Sequence, residues 1–168
     1  MYKRQELHQP YENLTYYGRG PFENYIDRYS GAFIGRYEDK VENQFYWYIR
    51  PQETGNKTDV RWLTLLDSGG LGVKITGLQP ISFSALHFSP EDLDPGLTRK
   101  LQHTIDIVPQ KNIFLHVDLK QRGLGGDNSW GMYPHNEYRL LDKKYTYSYM
   151  IELVEKGSDK NDYLNSRK

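Results

Sequence analysis

Cysteine is missing from all 168 residues, and that one absence removes disulfides, thiolate metal sites and a cysteine nucleophile together. Neither sign of charge is in excess, with 22 Lys and Arg against 22 Asp and Glu. Nucleic acid and anionic membranes select for a basic surplus, so neither is expected as a partner. No apolar run is long enough to cross a bilayer as a helix. The opening MYKRQELHQP carries charge but not the apolar core of a signal peptide, and cysteine usage does not fix the compartment. Repeats, linkers and low-complexity tracts are also lacking before a polar tail at 156–168.

What the chain does have is aromatic surface: 15 Tyr, 6 Phe and 3 Trp, punctuated by 15 Gly. Such a composition favours β architecture, and amphipathic rings suit contact with sugars, although most of the tyrosines are expected to be structural. The length fits one ordinary domain, able to bury roughly 70% of its unfolded surface.

Period-two patterns predict the strands. In YTYSYMIEL, Tyr145, Tyr147, Tyr149, Ile151 and Leu153 share one face, and NIFLHVDLK alternates Ile113, Leu115, Val117 and Leu119 against Phe114, His116 and Asp118. LGVKITGL and ISFSALHF read as two strands separated by a turn at Gln79-Pro80. Upstream, GAFIGRYE, QFYWYIRP and VRWLTLLD supply three more. One helix is predicted at Ser89-Pro90-Glu91-Asp92, with an N-cap, a first-turn proline and an acidic third residue. Leu93, Leu97 and Leu101 would line one face of it, cut short by Pro95-Gly96. Many strands and one helix predict an antiparallel all-β domain, a sandwich.

Three stretches concentrate polar chemistry. GRGPFENYIDR, 18–28, opens on glycines that permit positive φ and a proline that fixes its own. It then offers Glu23, Asn24, Asp27 and Arg28 within six positions. These four form either a polar network around a ligand or ion pairs and turn contacts that hold a loop; the second is the commoner use, and it is the reading preferred here. PQETGN, 51–56, is a polar loop whose Glu53 and Asn56 suit sugar hydroxyls or a proline-led turn equally well. GLGGDNSW, 123–130, lets Gly123, Gly125 and Gly126 turn the backbone sharply, while Asp127, Asn128 and Ser129 can bond their own backbone. Trp130 ends it, to stack on a pyranose ring or to anchor the loop. None of these glycine runs is a dinucleotide fingerprint, because the βαβ context is missing. His8, His87, His103, His116 and His135 show no metal-ligand spacing. Glycoside hydrolysis needs two carboxyls at a set separation, and Glu23, Asp27, Glu53, Asp127 and Glu137 are all available without their spacing saying which meet.

GRGPFENYIDR, YIRPQETGNKTDVRW and GLGGDNSWG, in that order, resemble the C-terminal domain of family 2 β-galactosidases, from about Tyr16 to Val154. The resemblance implies a large antiparallel sandwich of the galactose-mutarotase type that lacks its first strands here. It implies a retaining enzyme acting on terminal β-galactosides, whose catalytic glutamates lie in a separate (β/α)₈ barrel upstream. It also implies a homo-oligomeric intact enzyme, with any divalent metal in that catalytic part and no cofactor in this chain. A barrel of about 250 residues has no room here. By the same resemblance Trp130 stacks under the galactose ring, and Gly126, Asp127 and Ser129 shape its loop. Glu23, Asn24, Asp27 and Arg28, with Pro51, Gln52, Glu53, Gly55 and Asn56, are structural signatures without a catalytic role. The domain is expected to span 6–155, and residues 1–5, MYKRQ, resemble translated sequencing adapter. Two other readings remain: a free-standing galactose-binding module, and an aldose 1-epimerase built on His116, His135 and Glu137.

Overall fold

The computed structural model describes residues 2–8, 10–94, 96, 102–128 and 130–155. Its strands are β1 (Tyr2–Leu7), β2 (Asn13–Gly20), β3 (Phe33–Lys40), β4 (Lys57–Leu66), β5 (Gly72–Leu86), β6 (Ile113–Asp118) and β7 (Tyr149–Val154). All pairings are antiparallel, in the order β1-β6-β5-β4-β2-β3, with β7 also on β5. The fold is all-β, as the strand patterns predict.

One long strand shapes it. The two strands expected on either side of Gln79-Pro80 are a single strand, β5, of 15 residues. The proline bends the chain without reversing it. Residues 72–77 pair with β7, and residues 82–86 pair with β6. Between them Leu78 N–H donates to Ser148 O at 3.1 Å. A register shift in β4 between Val60 and Trp62 follows the same bend. The sheet therefore doubles over, and Leu14 and Tyr16 of β2 share one core with Ile113, Leu115 and Val117 of β6. Tyr147 OH donates to Val117 O at 2.9 Å, and Gln5 Nε2 to Tyr149 OH at 3.2 Å, across the two layers. This is the expected sandwich, with β4 and β5 common to both layers.

β2, a strand the sequence patterns above do not include, alternates, with Leu14 and Tyr16 inward and Thr15, Tyr17 and Arg19 half-buried. β6 does not alternate in burial, because Phe114 and Asp118 are covered on its second face too. A smaller cluster of Phe45, Leu86, Phe88, Leu93 and Ile107 provides part of that cover. The predicted helix is one turn, α1 (Pro90–Leu93), with a capping box between Ser89 and Asp92. Leu97, Leu101 and the tail 156–168 lie outside the described residues.

A second expectation fails. QFYWYIR is not a strand, since residues 45–50 join no ladder with the other described residues. Their rings are used sideways: Phe45 lies 4.3 Å from the Phe88 centroid and 5.0 Å from that of Trp47. The row in YTYSYMIEL is also only partly interior. Tyr147 and Tyr149 are half-buried, whereas Ile151 and Leu153 are exposed.

Lys57 is 2% exposed and forms no ion pair among the described residues: its Nζ donates to Gln44 Oε1 at 3.0 Å and to Gly55 O at 3.2 Å. Burial pushes its ammonium down to about 8, against which Glu23 and Asp39 pull weakly upward. A depressed base penalises the fold while it is charged and relieves it as the folded group deprotonates first. The contribution of Lys57 to stability is thus expected to rise by about 2 kcal/mol between pH 8 and pH 10. Urea melts of the wild type and Lys57→Met across that range check it, the difference between them narrowing as pH rises.

Candidate functional site

The three polar stretches meet at one end of the sandwich. Gly20-Pro21, a cis peptide, follows β2 and brings Glu23 under the 48–55 loop. Neither Gly18 nor Gly20 takes the positive φ expected of it. Gly18 is required by close approach, since a Cβ there would lie 2.6 Å from Val60 Cγ2.

Glu23 is enclosed, its side chain 7% exposed. One carboxylate oxygen accepts from Arg28 Nη2 and Tyr48 OH. The other accepts from Thr54 Oγ1 at 2.8 Å and Gly55 N–H at 2.9 Å. Burial alone pushes this carboxyl up. The donors from Tyr48, Gly55, Thr54 and Arg28 outweigh it and hold the group below the usual carboxylate range. Gly55 sits at φ +79°, and a Cβ would lie 2.6 Å from Gln44 O, so only glycine offers its N–H here.

Asn24 is fully buried and fully used. Its Nδ2 donates to Arg19 O at 3.1 Å and Phe22 O at 3.0 Å, and its Oδ1 accepts from Thr58 N–H and Oγ1. Asn24 N–H donates to Asn56 O and Asn56 Nδ2 returns a bond to Asn24 O, both at 2.8 Å. The first and second stretches are thereby stitched together as one unit.

Asp27 joins the third. Its Oδ2 accepts from Gly125 N–H at 2.7 Å, and Gly123 N–H donates to Tyr138 O at 2.7 Å. Gly123 serves by size and not by positive φ: a Cβ would lie 2.5 Å from Asp27 Oδ2 and 2.8 Å from Tyr138 Cβ. Beyond this clamp Asp127 Oδ1 accepts from His135 Nε2 at 2.8 Å, a bond that raises the imidazole above its ordinary range. Trp130 N–H donates to Asn128 Oδ1 at 2.8 Å, an Asx turn. Gly126 packs under Met132, and Ser129 lies outside the described residues. The indole of Trp130 is 92% exposed. It is presented outward from a loop held at its base by Asp27.

Pro51, Gln52 and Glu53 stand apart from that anchor and line a cleft of about 440 Å³ over the second face of β5 and β6. Glu53 Oε1 accepts from Gln121 Nε2 at 2.7 Å, and the same Nε2 reaches Asp118 Oδ2 at 3.0 Å. The cleft takes in His116 but neither His135 nor Glu137, so the epimerase candidates are not gathered. Among the described residues no three His, Asp or Glu side chains group as metal ligands. Tyr48, Thr54, Asp118 and Gln121 were not legible as site residues. Only Thr54 carried a signal, lying inside the PQETGN loop.

The family model for the β-galactosidase small chain matches residues 4–151. A β-galactosidase of Priestia megaterium is 37% identical over 147 residues, 87% of this chain and 14% of that protein. One from Streptococcus thermophilus is 38% identical over 144 residues, 84% of this chain and 14% of its own length. A third, from Lactobacillus delbrueckii subsp. bulgaricus, is 37% identical over 133 residues, 79% of this chain and 12% of its own. The chain spans about a seventh of the length of such relatives.

Proposed function

The chain belongs to the β-galactosidase small-chain family, and from that membership we propose that it is the non-catalytic module of a retaining β-galactosidase. Terminal β-D-galactosides are the substrate class, and Trp130 is the platform on which the galactose ring stacks. The outward indole, held on a loop clamped through Asp27 and Gly125, is the observation that carries this reading. An aromatic face with its polar edge free suits the C–H surface of a pyranose.

The chemistry itself belongs elsewhere in the polypeptide. A retaining site needs one carboxyl raised enough to act as acid and a second as nucleophile, about 5–5.5 Å apart. Glu23 is held low by four donors and has no lone pair to spare for substrate. Asp127 is paired with His135, and Asp27 Oδ2 holds Gly125 N–H. By the family resemblance, the two catalytic carboxylates, and any divalent metal, come from a (β/α)₈ barrel upstream. Exposed Met150, Ile151 and Leu153 of β7 suit burial against such upstream domains, in an enzyme that assembles as a homo-oligomer.

Hydrolysis of a chromogenic β-galactoside tests the reading. The purified chain is expected to give no turnover above background, and turnover is expected when it is fused behind the upstream domains of a relative. Turnover by the chain alone would overturn it and return attention to its own carboxylates.

A further inference from the structure

The cleft over β5 and β6 is separate from the Trp130 loop and is built for a ligand in its own right. Its base contains Asp118, 2% exposed, whose Oδ1 is buried with no hydrogen-bond partner among the described residues. Leaving such an acceptor unused costs about 1–3 kcal/mol, so an unsatisfied carboxyl in a preformed concavity calls for a donor from outside. Its other oxygen is oriented by Gln121, which also holds Glu53 at the rim. Two carboxyls are thus fixed through one amide. The volume, about 440 Å³, lies within the range of small-molecule sites.

The lining decides the class of ligand. Leu86, Phe88 and Phe114 give an apolar floor, and Glu53 and Asp118 give acceptors on one side. Lys120 and Arg122 stand in the same wall. Those cations disfavour an ammonium ion, and the carboxyls disfavour an anion. Burial also raises Asp118 to about 6, against the bond from Gln121, as expected of a base that disfavours ionic charge. A neutral ring that is apolar on its face and hydroxylated at its edge satisfies both halves.

We propose that this cleft is a second carbohydrate site, binding a neutral pyranose with a ring hydroxyl donated to Asp118 and another reaching Glu53. The proposal does not depend on the catalytic assignment above. It holds whether or not Trp130 completes an active site.

Amide shifts of the 168-residue chain during titration with D-galactose test it. Saturable shifts are expected at Ser84, His116 and Gln121, with a dissociation constant in the millimolar range. Asp118→Asn, isosteric and without charge, is expected to weaken that binding about tenfold or more, as for loss of a charge-assisted bond. Glu53→Gln, on an exposed loop where folding is not at stake, should weaken it about threefold. Shifts confined to the residues around Trp130, no saturation, or equal affinity in both variants would each overturn the proposal. Tighter binding of ethylammonium than of galactose at the same amides would overturn the sugar assignment.

Discussion

Glu23→Ala is expected to destabilise the chain by about 4 kcal/mol, since each buried donor left without an acceptor costs about 1–3 kcal/mol. The lost carboxylate strands four donors at once: Tyr48 OH, Thr54 Oγ1, Gly55 N–H and the Arg28 guanidinium. Thr54 and Gly55 are buried, so water cannot replace the missing acceptor cheaply. For a domain of this size the melting temperature should fall by roughly 10 °C. Glu23→Gln keeps one acceptor oxygen but places an NH₂ against two of the donors, so it should recover only part of the loss. The pH dependence carries the same signature. A carboxyl held low contributes stability that is present above its unfolded pKa and lost as pH falls through the folded value. Wild type and Glu23→Ala should therefore converge in acid, and equilibrium urea denaturation between pH 7 and pH 3 measures it. Equal stability at pH 7 would mean that the four donors find other acceptors.

Local pattern carried the strands, and long-range pairing carried everything the pattern missed. β6 was legible because Ile113, Leu115 and Val117 repeat at the period of a pleated chain, whereas β2, with Leu14 and Tyr16 inward, was not read as a strand. QFYWYIR carries similar residues but no ladder partner, and no local rule distinguishes a ring stacked on Phe88 from one on a sheet face. Gln79-Pro80 reads as a turn from sequence, and the strand continues through it. Whether a proline reverses a strand or bends it depends on what lies on either side, here β7 and β6. The site divides in the same way. Glu23, Asn24, Asp27 and Arg28 were visible as a cluster in sequence, and Glu23 with Arg28 is a local pair. Asn24 also reaches Arg19 and Phe22 nearby, but the other partners lie 20–98 positions away, at Tyr48, Thr54, Gly55, Asn56, Thr58 and Gly125. Glycine was legible as special but for the wrong reason at Gly18 and Gly123, where contact and not φ excludes a side chain. Asp118 gave no sign at all. An acidic residue alternating within a strand reads as solvent-facing until a second face is found above it.

The clamp between Asp27 and the glycine loop makes the strongest prediction for activity in the enzyme proposed above. Trp130→Ala in the fused or intact enzyme should lower kcat/KM about 30-fold or more, the usual scale for losing a Trp hot spot of about 2 kcal/mol. Asp27→Ala touches no substrate, yet it removes the acceptor of Gly125 N–H at the base of the same loop. A platform displaced by about 1 Å can cost about 100-fold, so the remote variant is expected to do as much harm as the local one. The two should not add. With Trp130 already removed there is no ring left to misplace, and Asp27→Ala on that background should cost little further. Asp27→Asn preserves an acceptor oxygen in the same position and should restore most of the loss, which a general loosening of the fold would not. Kinetics of the four members of the cycle, with melting temperatures beside them, give the answer. Additive losses would assign Asp27 a role independent of the loop. Matched losses that do not add, without a matching fall in melting temperature, would make it the residue that positions Trp130.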